Sequence, residues 1–230
     1  MTNPRQLLLT LTVAFALGGL SSVSSAAASY DAEWRFKVLL NDKPIGFHNF
    51  SLTQDGARQT LTTEASFDVK FLFINAFRYR HDNVEVWSDG CLESIYANTD
   101  NNGDFFSVRG ERYDEVMRVT GTTGPQLLDR CVQTFAYWNP SILSSSKLLN
   151  SQTGEVEEVS VTSESADVID VNGEDVEAVR YVLSAKSGAI TLWYTNDDSK
   201  RWLALEAPAK GGRSIRYVPV QIPTAADLVA

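Results

Sequence analysis

The sequence has few of the residues on which common catalytic sites depend. It contains two histidines and two cysteines in 230 residues. It has no Gly-x-Ser-x-Gly elbow, no phosphate-cradling glycine-rich loop and no His-Glu-x-x-His helix. With the cysteines bonded to each other, a transition-metal site would lack ligands. These absences argue against nucleophilic-serine, phosphate-loop and zinc-protease chemistry, and we expect no metal and no cofactor.

Positive charge is also scarce. The chain carries 20 Lys and Arg against 29 Asp and Glu, a formal net charge of −9. An acidic surface repels phosphate backbones and anionic lipid headgroups, so nucleic acid and peripheral membrane partners are disfavoured. The one long apolar run, residues 7–20, is shorter than the roughly 20 residues that a membrane-spanning helix needs. We therefore expect no stable membrane insertion.

The N-terminus has the three parts of a secretory signal peptide. Arg5 supplies a positive charge, residues 7–20 are uncharged and mostly apolar, and a small-residue stretch ends in Ala26-Ala27-Ala28. We predict that residues 1–28 are a signal peptide, cleaved after Ala26 or Ala28. The mature protein would then be periplasmic or secreted, with a formal charge of −10 because Arg5 is lost.

The two cysteines, Cys91 and Cys131, predict a structural disulfide. An even pair in an exported chain is typical of a bridge that persists in an oxidising compartment. Redox-active pairs usually lie close together, as in Cys-x-x-Cys, whereas these two are 40 residues apart.

Alternation of apolar and polar residues dominates the mature chain. Over residues 61–73 the odd positions are almost all apolar and the even positions mostly polar, which predicts a strand with one buried and one solvated face. Such a strand would extend about 40 Å and would have to coil, which favours a deeply bent sheet. Gly46, inside another alternating run, indicates a β-bulge or a close backbone approach.

Turn signals recur at short intervals after this strand, as at Asn102-Gly103 and Asn172-Gly173, and they predict successive hairpins. We therefore predict one all-β, mainly antiparallel domain over residues 29–220. It would be a strongly curved meander sheet or a partly closed barrel. Residues 221–230 would form a loosely ordered tail.

One segment favours a helix. Asn139 can cap a helix and Pro140 suits the first helical position. Residues 141–149 would supply two turns, and Asn150 could end them. We expect this short helix to cover one end of the sheet.

The most suggestive stretch for a binding site is residues 77–82, which would fold back onto residues 61–73 as a hairpin. This pairing places Tyr79 and His81 on the face that carries Phe71, and it places Arg80 on the other face with Asp68. One interpretation is a polar rim of Asp68, Arg80 and His81 beside an aromatic wall, able to orient an anionic or amphiphilic ligand.

The other interpretation is cross-strand charge pairing outside and an ordinary core inside, with His81 hydrogen-bonded. Cross-strand charge pairs are common on solvated sheet faces, which favours this second interpretation. The aromatic pair Tyr137 and Trp138 could line a pocket mouth or plug the open end of the bent sheet, and the plug is favoured. The candidate ligand-binding residues are Asp68, Phe71, Tyr79, Arg80, His81, Tyr137 and Trp138.

Other polar residues carry weaker signals. His48 shares a face with Phe50, where a lone histidine is more often a satisfied, half-buried residue than a catalyst. Glu85 with Glu93 is a carboxylate pair that can be placed on strands, but nothing in the sequence indicates an environment that would separate their two pKa values.

Several segments resemble a family of exported bacterial proteins that carry a domain of unknown function. The segments are 39–48, 67–73, 79–81, 135–140, 148–154, 192–194 and 209–212. The most distinctive is Tyr137-Trp138-Asn139-Pro140, and Ser151 stands where the family usually has proline. The resemblance spans nearly all of the mature chain. It implies an envelope β-protein and carries over no catalytic residues.

We therefore expect a periplasmic or envelope β-protein whose concave apolar face binds a lipid, another amphiphile or apolar ligand, or an envelope protein partner. One alternative is an envelope hydrolase acting on glycans or esters through Asp68, Arg80 and His81, although the lack of a catalytic set favours a non-enzymatic role. A second is a structural or interaction protein with a filled interior. A third is an outer-membrane barrel, which the short irregular strands and the C-terminal residues disfavour.

Overall fold

Along the strands of this chain, successive side chains point alternately inward and outward, and the strands pair into one sheet. The computed structural model describes residues 29–71 and 74–228, so the predicted signal peptide lies outside the described residues. The strands are β1 Ser29–Leu40, β2 Lys43–Asp55, β3 Arg58–Phe71, β4 Ile74–Ser88, β5 Cys91–Asn101, β6 Asp104–Tyr113, β7 Val116–Gly121, β8 Gly124–Asp129, β9 Lys147–Leu149, β10 Val156–Val171, β11 Glu174–Ala185, β12 Gly188–Thr195, β13 Trp202–Ala209 and β14 Arg213–Gln221. Two 3₁₀ helices, Pro140–Ser144 and Ala226–Leu228, complete the fold.

The sheet is an antiparallel meander with one long-range pairing. Its 14 strands run in the order β8-β7-β6-β5-β4-β3-β2-β1-β14-β13-β12-β11-β10-β9. Every neighbour in this order is also a neighbour in sequence, except that β1 pairs with β14. The pairing of the first and last strands leaves β8 and β9, from the middle of the chain, as the two sheet edges. The predicted all-β, antiparallel, strongly curved meander is confirmed.

Short turns with positive φ angles join the early strands. In the β1–β2 turn, Asn41 and Asp42 have φ angles of 47° and 66°, and in the β5–β6 turn Asn102 and Gly103 have 59° and 100°. Positive φ at both central residues gives the turn a twist that matches the right-handed twist of the strands it joins. The turn signals in the sequence therefore correspond to real hairpins.

Gly46 lies at a β-bulge. Val38 pairs with Gly46 while Leu39 pairs with Pro44, so Ile45 is an extra residue in β2. Gly46 has a φ angle of 154°, and a Cβ atom there would lie 1.8 Å from the carbonyl oxygen of Ser66. Both the bulge and the close approach expected from the sequence are present.

The β3–β4 hairpin has the predicted register. Phe67 lies opposite Tyr79, and Ala65 lies opposite His81. Phe67 and His81 are only 7% and 5% exposed, whereas Arg78, opposite Asp68 on the other face, is exposed to solvent. The inward face of this long strand is therefore the apolar one, although the side chain of Phe71 and the whole of Phe73 lie outside the described residues.

The core inside the curved sheet is rich in aromatic rings. Trp202 of β13 lies near its centre, with its ring centroid 4.4 Å from that of Phe36, 5.1 Å from that of Phe50 and 5.2 Å from that of Tyr137. Its indole Nε1 donates to the carbonyl oxygen of Ala204 at 2.9 Å, so the one polar group of the buried ring is hydrogen-bonded.

The connection between the two edge strands fills the interior. We call residues 131–139 the plug segment; its alternate side chains Val132, Thr134, Ala136 and Trp138 are all buried. The Val132 carbonyl accepts from the Leu92 amide at 3.1 Å, and the Gln133 carbonyl accepts from the Leu149 amide at 2.8 Å. The segment therefore bridges β5 on one side and β9 on the other.

A second contact, outside the plug segment, also connects the two ends of the sheet. The Thr122 amide, in the β7–β8 turn, donates to the Thr153 carbonyl at 2.8 Å. Beside it, a Cβ atom on Gly121 would lie 2.3 Å from the same carbonyl oxygen. The sheet is not closed by strand pairing, but this contact and the plug segment connect its two ends.

The predicted two-turn helix is shorter than expected. The Asn139 side chain caps it by accepting from the Ser141 amide at 3.0 Å, and Pro140 opens the turn, as predicted. Only Pro140–Ser144 is helical, because Lys147–Leu149 pairs with β10 and becomes a strand. Within residues 29–71 and 74–228 no helix has the length and apolar character to cross a bilayer.

The predicted loose tail is partly held against the body of the protein. Ile222 and Leu228 pack on the core, and Pro223 is buried. Arg201 donates to the Pro223 carbonyl at 3.1 Å. The apolar residues in this stretch therefore pack against the body of the protein up to residue 228.

Cys91 and Cys131 form the predicted disulfide, with Cα atoms 4.9 Å apart. The bond joins the start of β5 to the start of the plug segment. It therefore fixes the segment that fills the core to the wall that encloses it.

We expect the double variant Cys91→Ser/Cys131→Ser to lower the free energy of unfolding by about 4 kcal/mol, because it releases a loop of 40 residues in the unfolded chain. Urea denaturation of the two proteins measures the change. Wild-type protein unfolded with a thiol reductant is the control and should show a similar loss. A loss below about 1 kcal/mol would contradict an anchoring role.

Candidate functional site

An interior cavity of about 200 Å³ lies between the inner faces of β2, β3 and β4 and the plug segment. Its wall is partly aromatic and partly polar. The lining residues are His48, Phe50, Leu61, Thr63, Tyr79, Asn83, Glu85, Phe135, Ala136, Tyr137, Asn150, Ser151, Gln152, Ser187, Ile190 and Tyr217.

Strand register brings three polar residues together on this wall. Thr63 of β3 lies directly opposite Asn83 of β4 and opposite Phe50 of β2. His48 is two residues before Phe50, so it lies on the same face and diagonal to Thr63. Thr63 and Asn83 are only 4% and 5% exposed. Three neighbouring strands thus each place one polar side chain on the wall of one cavity.

Each of these three side chains has a buried polar atom without a partner. His48 Nε2, Thr63 Oγ1 and Asn83 Oδ1 make no hydrogen bond to any described residue. Leaving a buried polar atom unpaired costs about 1–3 kcal/mol, and most such atoms in folded proteins are paired. Each of these atoms has less than 1 Å² of accessible surface, so the surrounding side chains leave no room for a partner from solvent or from the cavity.

The orientation of Asn83 is fixed by its neighbour. Its amide Nδ2 donates to Glu85 Oε1 at 3.0 Å. Since the amide nitrogen must face a carboxylate oxygen, the other end of the amide is the carbonyl oxygen. The unpaired atom of Asn83 is therefore a hydrogen-bond acceptor.

His48 is a neutral imidazole. Burial, with a smaller effect from the nearby His81, holds the pKa of His48 well below its ordinary value of 6.5. Its Nδ1 lies 2.9 Å from the hydroxyl of Tyr217. The Tyr217 proton has no other acceptor among the described residues, so we assign it to this bond, and Nε2 then carries the imidazole proton. His48 therefore offers a donor.

Glu85 joins this wall to the plug segment. Its Oε2 accepts from Trp87 Nε1 and from Thr134 Oγ1, both at 3.1 Å. Burial raises the pKa of Glu85, while hydrogen bonds from Asn83, Thr134 and Trp87 act in the opposite direction. The partner considered from the sequence, Glu93, instead accepts from Arg112 at 2.9 Å and takes no part in the cavity.

Two of the residues predicted as ligand-binding do line the cavity. The Tyr79 ring stacks on Phe67 with centroids 5.2 Å apart, and its hydroxyl donates to Gln152 Oε1 at 3.1 Å. Tyr137 is held by the Tyr194 hydroxyl, which donates to its backbone carbonyl at 2.7 Å. Burial raises the pKa of both Tyr79 and Tyr137 far above the ordinary tyrosine value, so both hydroxyls are protonated.

Two turns form the mouth of the cavity. Ser151 and Gln152 follow β9, and Ser187 lies in the β11–β12 turn; all three reach solvent. Glu157 connects the turns, because its carboxylate accepts from Asn150 Nδ2 at 3.1 Å and from the Ser187 amide at 2.9 Å. The entrance is therefore a built feature, held by a carboxylate that is itself only 8% exposed.

The polar rim of Asp68, Arg80 and His81 does not assemble. Asp68 and Arg80 form an ion pair of 2.7 Å on the outer face of the hairpin. His81 lies on the inner face, where its Nδ1 contacts Thr99 Oγ1 at 2.8 Å. This is the arrangement of the second interpretation, charge pairing outside and a hydrogen-bonded histidine inside.

The two other candidates lie elsewhere. Trp138 packs edge-on against Trp87, with centroids 5.9 Å apart, and belongs to the core rather than to the cavity wall. The side chain of Phe71 lies outside the described residues. Among the seven candidates, Tyr79 and Tyr137 are thus the two that the described structure places on the cavity wall.

Sequence reasoning did not select His48, Thr63, Asn83 or Tyr217. A usable signal was present for Thr63, which interrupts the inward series between Leu61 and Ala65. A polar residue at an inward position must find a partner or face a polar space. The sequence predicts a His48 whose ring nitrogens are both hydrogen-bonded, whereas its Nε2 has no partner among the described residues.

Comparisons with known proteins bear on the fold. A family described as Domain of unknown function (DUF6134) matches residues 36–220. The crystal structure of a beta-barrel-like protein of domain of unknown function DUF1849 from Brucella abortus is similar, with a TM-score of 0.57 and 10% sequence identity; the match covers 86% of this chain and 98% of that one. At this identity the likeness shows the fold alone. A search of curated proteins gives no significant match.

The burial of His81 leads to a prediction about how folding stability depends on pH. Burial lowers its pKa from 6.5 to about 4, so between these pH values the unfolded chain binds more protons than the folded one. Stability therefore falls as pH decreases through this window, by up to roughly 3 kcal/mol from this residue. We expect His81→Gln to remove that part of the dependence, measured by urea unfolding at several pH values. Parallel profiles for the two proteins would contradict the assignment.

The unpaired Thr63 hydroxyl leads to a second prediction, about the free energy of unfolding. We expect Thr63→Val to raise the free energy of unfolding of the ligand-free protein by about 1 kcal/mol, because it removes a buried, unpaired polar atom with little change in shape. The matched control is Thr62→Val on the outer face, which should change stability by less than about 0.5 kcal/mol. Destabilisation by Thr63→Val alone would show that the hydroxyl is satisfied in the folded protein.

Proposed function

The chain belongs to the DUF6134 family of domains of unknown function, and we propose that its role is to bind a small molecule in the interior cavity. One observation carries the proposal. The inner faces of β2, β3 and β4 and the plug segment enclose a cavity of about 200 Å³ whose wall is partly aromatic and partly polar. Its mouth reaches solvent at Gln152 and Ser187, so a small molecule could enter it.

The size of the cavity limits the ligand. Its volume of about 200 Å³ is below the roughly 300–1,000 Å³ of pockets for drug-sized ligands. It exceeds the engineered 150 Å³ cavity that holds benzene. A molecule of about ten non-hydrogen atoms is therefore the appropriate scale. A whole lipid is too large, so the ligand would be amphiphilic only on the scale of a small molecule.

The lining suits such a ligand. Phe50, Phe135 and Tyr137 supply apolar and aromatic surface. Ser151, Gln152 and Ser187 supply polar groups near the mouth. Ligand pockets usually combine a mostly apolar wall with a few placed polar groups. The mouth beside Gln152 and Ser187 gives a route from solvent.

The proposal includes an envelope location. The signal-peptide pattern over residues 1–28 supports it, and so does the disulfide between Cys91 and Cys131, because disulfides form and persist mainly in oxidising compartments. The ligand would then be a molecule of the periplasm or the cell surface.

Native mass spectrometry of protein purified from the cells that produce it tests the proposal. We expect folded wild-type protein to carry added mass that denaturation releases. Thr63→Leu should lose it, because the larger apolar side chain removes the hydroxyl and fills the cavity. Thr62→Leu, the same change on the outer face, should keep it.

Thermal unfolding in an extract of the cell envelope is the complementary measurement, since a ligand that binds only the folded protein raises the midpoint. Wild-type protein that carries no added mass, and whose midpoint does not change in the extract, would contradict the proposed function.

A further inference from the structure

We propose a second binding site, on the outer face of the sheet: an open groove across β4, β5 and β6 that binds a neutral saccharide. One sugar ring stacks on Phe105, and its hydroxyl groups bond to Asp82, Asn98 and Ser107. This site is separate from the interior cavity, so the proposal does not depend on the function proposed for that cavity.

Strand register places the groove residues in two rows of three. Asp82 of β4 lies opposite Asn98 of β5, which in turn lies opposite Ser107 of β6. Two residues along each strand, the second row is Arg80, Asp100 and Phe105. The two rows line an open groove of about 340 Å³. This volume lies within the roughly 300–1,000 Å³ that is typical of ligand pockets.

Phe105 supplies the stacking surface of the groove. It is 76% exposed, although phenylalanine is among the residues most often buried. The exposed rings of Tyr96 and Tyr113 are each covered by an arginine, Arg109 at 4.4 Å and Arg118 at 4.8 Å. Among the described residues, no other ring and no cation lies against Phe105. Its face is therefore open to a ligand.

Three polar side chains beside this ring can bond to hydroxyl groups. Asp82 is exposed and has no ion pair or hydrogen bond with any described residue. Its carboxylate can accept charge-assisted bonds from two hydroxyl groups. The Asn98 amide and the Ser107 hydroxyl are also exposed, and each can donate and accept. The neighbouring hydroxyl groups of a sugar, which both donate and accept, complement this set.

The charges of the groove favour a neutral ligand. Arg80 is paired with Asp68 at 2.7 Å, and Asp100 is paired with Arg78 at 2.6 Å. Asp82 is then the one charged groove residue without an opposite charge bound to it. Its carboxylate repels phosphates and carboxylates. A cation would gain only a solvent-exposed ion pair with it, which contributes little.

The surroundings of Phe105 fit a sugar better than a protein surface. A stable protein interface buries about 800 Å² on each partner around an apolar core. Phe105 is the one apolar side chain in the two outward-facing rows, so such a core is missing here. A pyranose has a face of C–H bonds that packs on an aromatic ring, and it carries hydroxyl groups at its edge. One open ring bordered by polar groups matches that shape.

Chemical-shift changes in two-dimensional NMR spectra of the full mature protein test this site. The probes are the neutral trisaccharides maltotriose, cellotriose and triacetylchitotriose, each titrated to about 20 mM. We expect at least one of them to give saturable shifts centred on residues 98–100 and 104–107. A heparin disaccharide, which is anionic, should give none there.

Matched variants locate the binding. We expect Phe105→Ala to weaken trisaccharide binding about fivefold or more, because the stacking surface is lost. Phe105→Trp, which keeps an aromatic ring, should stay within about twofold of the wild type. Because Phe105 is exposed, neither change should disturb the fold. The control is Val168→Ala on β10, where the residue is 53% exposed, and it should leave the affinity unchanged.

Three results would overturn the site. They are the absence of a saturable shift with all three trisaccharides, equal affinities for the wild type and Phe105→Ala, and tighter binding of the heparin disaccharide than of the neutral probes. A face that contacts only a protein partner would give the first of these. None of them bears on the interior cavity, because Phe105 lies on the opposite face of the sheet from the cavity wall.

Discussion

The plug segment, residues 131–139, is the part of the molecule on which the rest depends. A curved sheet of 14 strands encloses more space than its own inward side chains fill; among closed barrels, those of 16–18 strands leave an open channel. Here the plug segment occupies that space. Trp138 packs against Trp87 of β4, and the Tyr137 ring lies beside Trp202 of β13. The apolar inner face of the sheet therefore packs against the plug segment.

Two kinds of bond hold the plug segment in place. The disulfide between Cys91 and Cys131 fixes its first residue to β5, and the Thr134 hydroxyl donates to the buried carboxylate of Glu85 at 3.1 Å. The same carboxylate orients the amide of Asn83. The interaction that secures the core therefore also sets the chemistry of the candidate site, because it directs the Asn83 carbonyl oxygen away from Glu85.

Much of the fold could be predicted from local pattern. Alternation over residues 61–73 and turn pairs such as Asn102-Gly103 each reflect a short-range requirement of the chain. The pairing of β1 with β14 could not be predicted, because nothing local indicates that Leu40 lies opposite Ile215. The sequence predicts helix over residues 147–149, because only the pairing with β10 makes Lys147–Leu149 a strand.

The candidate site is harder to predict from the sequence for the same reason. It depends on His48, Thr63 and Asn83 being neighbours across three strands, which requires the register of two hairpins at once. The aromatic residues Tyr79 and Tyr137 were found because aromatic side chains stand out in a sequence. A threonine and an asparagine at inward positions stand out only when the direction of each strand is known.

A high-resolution crystal structure of the protein purified from the cells that produce it tests the central claim most directly. The account predicts a bound molecule other than water inside the cavity, in contact with wall residues such as Phe50 and Tyr137. A cavity that holds only ordered water would contradict it. So would side chains that turn to bond one another and leave no cavity.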